Sequence, residues 1–129
     1  MKTYLIKPNT KPRMTRADKW KQRTCVMQYR AYKDEIRNAS LSLPEGGYHL
    51  IFVIPMPKSW TKKKQNEMRG KPHQQTPDKD NLEKGLLDAI FSDDAHIWDG
   101  RLSKYWGDEG SIIIKKIPTF ETLEEVLKH

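Results

Sequence analysis

An almost unbroken apolar run spans Tyr48 to Ile54 and is bounded on both sides by turn-forming residues. Pro and Gly occur at 44–47, and Pro55 and Pro57 follow the run. Its length and its content of β-branched and aromatic residues predict a central strand that is buried on both faces of a sheet.

Three further segments combine β-branched or aromatic residues with flanking turns and predict additional strands. These segments are Thr3–Lys7, Ala95–Trp106 and Ser111–Ile117. The last two are joined by the turn Gly-Asp-Glu-Gly at 107–110.

Four segments show helical periodicity or helix start and stop signals. The predicted helices span Ala17–Asn38, Trp60–Arg69, Asn81–Phe91 and Phe120–Lys128. One face of the first helix carries Cys25, Tyr29, Tyr32 and Ile36, for which core packing is the favoured role. One face of the third carries Leu82, Leu86, Ala89 and Ile90. The predicted N-caps are Thr15, Ser59 and Asp80, the last with Glu83 as its capping-box partner.

Strands and helices alternate without a regular βαβ repeat, which favours an α+β fold. We expect a small mixed or antiparallel sheet with helices packed on it, in a single domain over residues 1–129. No apolar run approaches the roughly 20 residues of a membrane span. The lone Cys25 and the absence of an apolar leader predict a reducing, cytoplasmic location.

Five aspartates lie between Pro77 and Trp98, although the whole chain has a formal net charge of +7. Carboxylates at this density repel one another, and a bound divalent cation would relieve the repulsion. Asp78 and Asp80 point to the same side of an extended chain. Asp94 can join them only if the strand that follows the helix runs back alongside the helix start.

Lys84 lies one helical turn beyond Asp80, and its ammonium can reach back over that turn. It could stabilise a phosphoryl transition state, or it could form an ordinary surface pair with Asp80. The spacing leaves both roles open. Asp93 could orient a ligand or belong to a turn, and His96 lies near the site without metal-ligand spacing to another histidine.

Basic residues are concentrated before the first helix and between the central strand and the aspartates. With a pI near 9.5, this distribution favours a polyanionic partner, although a lysine run is also an ordinary solvated surface. The predicted phosphate contacts are Lys11, Arg13, Arg16, Lys58, Lys62, Lys63, Lys64, Arg69 and Lys71.

The motif D-x-D-N-L-x-K-x-x-x-D-A at Asp78 to Ala89, followed by D-D-A at Asp93 to Ala95, resembles the RusA family of Holliday junction resolvases. Met56-Pro57 before a basic segment fits as well, and the likeness is specific over roughly Leu50 to Trp98. The basic segment before the D-x-D motif is longer here than in the best-known member, which leaves junction selectivity open.

The resemblance implies a homodimeric, Mg²⁺-dependent endodeoxyribonuclease, with Mn²⁺ as a substitute metal. It would nick two strands of a four-way DNA junction symmetrically, in recombination and repair, in a bacterial cell or as a phage or prophage product. By motif position, Asp78, Asp80 and Asp94 match the catalytic, metal-binding carboxylates, and Lys84 matches the catalytic lysine. The alternatives are a nuclease of the same chemistry on flaps or RNA, and a non-catalytic DNA-binding phage regulator with a structural acidic cluster.

Overall fold

A computed structural model of the 129-residue chain describes residues 1–13 and 24–129. The strands are β1 (Lys2–Tyr4), β2 (Tyr48–Pro55), β3 (Gly100–Gly107) and β4 (Ser111–Lys116). The helices in these ranges are α1 (Thr24–Asn38), α2 (Lys62–Met68), α3 (Lys79–Ile90) and α4 (Leu123–Leu127). None of them is long and apolar enough to cross a membrane.

The strands form one mixed four-stranded sheet in the order β1-β4-β2-β3. β2 pairs in parallel with β3, from Tyr48 opposite Gly100 to Pro55 opposite Gly107. Its other neighbour is β4, which runs antiparallel to both β2 and β1. The predicted α+β class, the mixed sheet and the central place of β2 are confirmed.

Burial along β2 alternates, so the prediction that this strand is buried on both faces is wrong. Tyr48, Leu50 and Phe52 are buried, whereas His49 and Ile51 between them are only half-buried. The reason is that Tyr48, Leu50 and Phe52 pack into a single core with the buried side chains of α1 and α3. The helices α1 and α3 therefore cover one face of the sheet.

The turn at 107–110 connects β3 to β4, but these strands are not neighbours, because β2 lies between them. The predicted strand from Ala95 begins only at Gly100. Its start coincides with that of β2 at Tyr48, so the preceding residues have no β2 backbone to pair with. β1 is also displaced from its predicted position, since it covers Lys2–Tyr4.

The apolar faces of the two longer helices form most of the core. Their buried members are Val26, Tyr29, Tyr32, Ile36, Leu82, Leu86, Leu87 and Ala89. Cys25 was predicted to belong to this face but is exposed. Val26 is buried instead, although helical periodicity places Cys25 nearer the centre of the Tyr29–Tyr32–Ile36 stripe. Ile90 is half-buried.

The helix starts differ from the predictions. Asp78, not Asp80, occupies the N-cap position of α3, and its side chain makes no capping hydrogen bond. The Asp80–Glu83 capping box is therefore wrong, because both residues lie within the helix. In α2 the cap is Thr61 rather than Ser59, since Thr61 Oγ1 accepts a hydrogen bond from the Lys64 amide.

The predicted cap at Thr15 and the helix start at Ala17 lie outside the described residues. The C-terminal helix is shorter than predicted and buries none of its residues, with Leu123 and Leu127 about three-quarters exposed at 73% and 76%.

Candidate active site at the start of helix α3

The first turns of α3 lie against the edge of the sheet where β2 and β3 begin. The Tyr48 hydroxyl donates a hydrogen bond to Glu83 Oε2 at 2.9 Å. Gly100, opposite Tyr48 in the parallel pair, makes room for that ring, because a Cβ there would lie only 2.5 Å from Tyr48 Cζ. The pair therefore connects the sheet edge to the helix that carries Asp80.

Asp80 and Glu83 line a cavity of about 230 Å³ together with Gly100, Arg101 and Leu102. Because these residues come from α3 and β3, the cavity lies between the helix start and the beginning of the strand. Asp80 is exposed and Glu83 is half-buried. Lys79 also lines this recess, so two carboxylates and two cations, Lys79 and Arg101, face one another there.

Asp94 returns to the same neighbourhood after α3 ends. Residues 91–99 lead the chain from the end of the helix to Gly100, which lies beside Tyr48. Burial raises the pKa of the Tyr48 hydroxyl above its ordinary range, and the Glu83 hydrogen bond and the negative charges of Glu83, Asp94 and Asp99 raise it further. Three carboxylates therefore act on one buried hydroxyl.

Within residues 1–13 and 24–129, the motif carboxylates have no protein partner. Among the described residues, the side chains of Asp78, Asp80 and Asp94 make no hydrogen bond or ion pair. Unpartnered carboxylate oxygens in a basic protein suit a hard cation such as Mg²⁺, which is typically held by one or two carboxylates plus waters and substrate phosphates.

The donor chemistry thus fits the metal that the sequence resemblance implies. The described part of the chain nevertheless contains no group of three His, Cys, Asp or Glu side chains placed to hold a metal ion. It brings Asp80 into the recess and Asp94 near Tyr48, but it does not join these two with Asp78 as one three-carboxylate centre.

Lys84 faces a second cavity, of about 400 Å³, that it lines with Lys11, Pro12, Arg13 and Asn81. The Lys84 ammonium lies 3.8 Å from Asp88 Oδ2, and the Lys11 ammonium lies 3.3 Å from the same oxygen. Of the two roles that the spacing left open for Lys84, the surface pair with Asp80 is absent among the described residues, and Lys84 pairs with Asp88 instead. Both cavities are lined by residues of the first two turns of α3, the first by Asp80 and Glu83 and the second by Asn81 and Lys84.

The N-terminal segment reaches this basic cavity because α3 has a glycine where the two cross. A Cβ on Gly85 would lie 2.9 Å from the Asn9 carbonyl oxygen and 3.1 Å from the Lys11 amide nitrogen. The Tyr29 hydroxyl donates to the Gly85 carbonyl at 2.8 Å, which joins α1 to the same turn. Burial, together with the charge of Asp88, raises the pKa of Tyr29 to about 12.

The other basic residues with predicted DNA contacts are exposed. The exposed lysines are Lys58, Lys62, Lys63, Lys64 and Lys71. The Lys64 ammonium lies 4.4 Å from the centre of the Trp60 ring. Arg69 is already engaged, since its Nε and Nη2 donate to the Asp108 carboxylate at 2.9–3.0 Å. Arg16 lies outside the described residues.

The structure also assigns local contacts to Asp93 and His96. Asp93 Oδ1 accepts a hydrogen bond from the Ala95 amide at 3.0 Å, which is a turn contact. The His96 ring packs edge-on against Phe91.

Three residues near the site were missed by sequence reasoning. They are Tyr48, Glu83 and Lys104, the last of which donates to the backbone of the loop before Asp78. Tyr48 was counted as part of an apolar strand, and Glu83 as a capping partner. The available signal for Lys104 was a cation between Leu102 and Trp106 at alternating strand positions.

The sequence model of the family Endodeoxyribonuclease RusA matches residues 4–116 of this chain. The chain belongs to the RusA endodeoxyribonuclease family. The match covers β2, β3, β4 and α3, and therefore every residue that lines the recess at the start of α3, whereas α4 lies beyond the matched residues. Comparisons with curated proteins and with solved structures gave no significant match.

Membership in the RusA family confirms the resemblance seen in the sequence and places the chain among Holliday junction resolvase nucleases. The recess at the start of α3 is accordingly the candidate active site of a DNA endonuclease. The family match does not by itself assign a role to any single residue.

Proposed function

We propose that this protein is a Mg²⁺-dependent endonuclease that resolves four-way DNA junctions by paired, symmetric nicks in DNA recombination and repair. The observation that carries the proposal is the start of α3 in a RusA-family chain. There, the carboxylates of Asp78 and Asp80, unpartnered among the described residues, lie within two turns of Lys84, which lines a cavity with Lys11.

Asp78, Asp80 and Asp94 would hold the metal, for which Mn²⁺ could substitute. Bound by these carboxylates, Mg²⁺ would supply activation of water for attack on phosphorus and neutralisation of charge on the leaving oxygen. The chain's own contribution is to present oxygen ligands that no cation of the described residues already occupies.

Lys84 would stabilise the negative charge that develops on the phosphate. Its side chain is 69% exposed, and its 3.8 Å separation from Asp88 is a loose ion pair that an incoming phosphate could replace. Lys11 shares Asp88 with it, so two ammonium groups that line this cavity are paired with a single carboxylate. That local excess of positive charge favours a phosphate.

We further propose that the basic residues hold the DNA backbone and that the branched substrate is recognised mainly by shape and phosphate position. The proposed contacts are Lys11, Arg13, Arg16, Lys58, Lys62, Lys63, Lys64, Arg69 and Lys71. Arg69 would have to exchange Asp108 for a phosphate.

Paired nicks on two opposed strands require two active sites, and a two-fold homodimer supplies them. Analytical ultracentrifugation at micromolar concentration should therefore show a dimer. A monomer that still cuts junctions in paired nicks would contradict this part of the proposal.

The decisive test is cleavage of a labelled synthetic four-way junction, in Mg²⁺ or in EDTA, by the wild type and by Asp80→Asn. We expect Mg²⁺-dependent paired nicks that disappear in the variant while junction binding is retained. Asp34→Asn is the matched control, because it removes the same charge from an exposed position on α1.

Tight binding without cleavage under either condition would instead support a non-catalytic DNA-binding protein. Parallel assays on flap, duplex and RNA substrates test the substrate class. Preferential cutting of flaps or RNA would replace the junction assignment and leave the metal chemistry in place.

A further inference from the structure

A lysine occupies the apolar face of β3. Leu102, Lys104 and Trp106 alternate along this strand on the side that faces the core, and Lys104 is paired with the fully buried Phe52. Both Leu102 and Trp106 are buried. Lysines are rarely placed in such a row unless the amine is paired, because burial of an unpaired charge is strongly unfavourable.

The partners of this amine are two backbone carbonyls. Lys104 Nζ donates to the Gln75 oxygen and to the Pro77 oxygen, each at 2.8 Å. Hydrogen bonds from a charged donor are shorter and about twice as strong as those between neutral groups. Pro77 immediately precedes Asp78, so the second bond lies one residue from the first motif carboxylate.

These two bonds are the backbone hydrogen bonds that hold residues 74–77 among the described residues. Residues 70–73 run along the outer edge of β3, with the His73 amide donating to the Lys104 carbonyl at 3.0 Å. The next backbone bond is the one from the Leu82 amide to the Asp78 carbonyl, inside α3. Between them, in the described chain, the backbone of 74–77 is hydrogen-bonded only to Lys104.

We propose that Lys104 is a positioning residue for the metal site. By fixing the carbonyls of Gln75 and Pro77 on the rigid strand β3, it sets where Asp78 stands relative to Asp80. This inference rests on the proposed function, in which both aspartates hold Mg²⁺. Loss of the Lys104 amine would leave the sheet and the basic surfaces in place but allow Asp78 to move.

The expected effect is on metal affinity. Residues that orient metal ligands typically change affinity or activity by about 10-fold to 100-fold when they are replaced. Lys104→Met keeps the length and apolar stem of the side chain but cannot donate to either carbonyl. We expect it to weaken binding of Mn²⁺ to the DNA-free protein by on the order of 10-fold.

The experiment compares three variants with the wild type. Mn²⁺ alone is titrated by calorimetry or electron paramagnetic resonance, and cleavage is measured across Mg²⁺ concentrations. Junction binding in EDTA is followed by fluorescence anisotropy. Lys104→Arg, which can donate to both carbonyls, should restore most of the metal affinity. Lys115→Met is the matched control, since it removes one exposed charge from β4.

In Lys104→Met, we expect weaker Mn²⁺ binding, cleavage that recovers at high Mg²⁺, and junction binding equal to that of Lys115→Met. Unchanged Mn²⁺ affinity would overturn the positioning role and leave the proposed nuclease function standing. A specific loss of junction binding in EDTA would also overturn it, because Lys104 would then be a DNA contact. A wild type that binds no Mn²⁺ and cuts DNA in EDTA would overturn both proposals.

Circular dichroism establishes whether Lys104→Met is folded. If it is not, Lys104→Gln takes its place in the same comparison, since its shorter amide keeps a polar end in the sheet. Weaker Mn²⁺ binding by this folded variant supports the positioning role, and wild-type binding overturns it.

Discussion

The Tyr48 hydroxyl donates a hydrogen bond of 2.9 Å to Glu83 Oε2, although 35 residues separate the two along the chain. This contact fastens the first residue of the central strand to the helix that carries Asp80. Glu83 also lines, together with Asp80, the cavity at the start of α3. Strand, helix and candidate site are thereby joined through one side-chain pair.

Replacing Tyr48 by Phe should destabilise the fold, because the Glu83 carboxylate loses its donor in a half-buried position. A hydrogen bond to a charged group contributes about 1.5–3 kcal/mol, so we expect the free energy of unfolding in urea to fall by roughly that amount. Tyr105→Phe is the control, since the Tyr105 hydroxyl has no hydrogen bond among the described residues. Equal losses in the two variants would mean that the Tyr48–Glu83 bond contributes nothing.

Gly85→Ala should destabilise the protein, although alanine normally favours a helix interior by about 0.5–1 kcal/mol over glycine. The new methyl group would press on the backbone at Asn9 and Lys11. Overpacking of this kind costs about 1–3 kcal/mol, and it would also displace Lys11 from Asp88. Urea unfolding and junction affinity should both decline, whereas a more stable variant would show that the two segments are not in contact.

Asp108→Asn should tighten junction binding by releasing Arg69. The guanidinium is held by the Asp108 carboxylate in a bidentate, exposed ion pair, which contributes at most about 1 kcal/mol to stability. A freed Arg69 can neutralise one more phosphate, so the slope of log affinity against log salt should steepen by about 0.9. Glu109→Gln removes the same charge beside it. An equal change in both variants would assign the effect to net charge alone.

Protein stability should fall as the pH drops below about 6.5 because of two histidines. Burial, followed by the charge of Lys104, lowers the pKa of His73 below its ordinary value of 6.5, and burial also lowers that of His49. The unfolded histidines then bind protons at a higher pH than the folded ones. Their contribution to the free energy of unfolding is therefore complete above pH 6.5 and is lost as the pH falls below that value.

The measurement is urea unfolding of the wild type and of His73→Phe at about pH 7.5 and about pH 5.5. The variant keeps a ring against Trp106 but cannot take a proton, so its loss of stability on acidification should be smaller. Replacement of the exposed His96 by Ala should leave the wild-type loss unchanged. If His73→Phe loses as much as the wild type, His73 is not the group responsible.

The sequence was sufficient for features that depend on local pattern. Tyr29 and Tyr32 lie on the buried helix face, and β2 is the central strand, because periodicity and apolar length are properties of a single segment. Strand pairing was not predictable in the same way. A turn at 107–110 joins β3 to β4 equally well whether they pair with each other or receive β2 between them.

The candidate site was predictable only to the extent that its residues form a motif. Asp78, Asp80 and Lys84 are marked by their spacing, and the Lys84–Asp88 pair is an i,i+4 contact within α3. The approach of Lys11 to Asp88, in contrast, depends on where the N-terminal segment crosses that helix. Lys104 donates a hydrogen bond to the backbone of a loop that precedes it, with 29 residues separating it from Gln75. The alternation of Leu102, Lys104 and Trp106 marks the lysine, but a single sequence does not identify the loop that it binds.

Both neighbours of β2 are translated after it, since β3 begins at Gly100 and β4 ends at Lys116. A nascent chain that has emerged only as far as α3 already carries Asp78, Asp80 and Lys84, yet it has neither strand on which β2 can assemble. Because proteins emerge from the ribosome amino terminus first, a prematurely terminated product ending before Gly100 would lack the sheet edge that supports the recess. The recess at the start of α3 is therefore complete only after β3 has been synthesised.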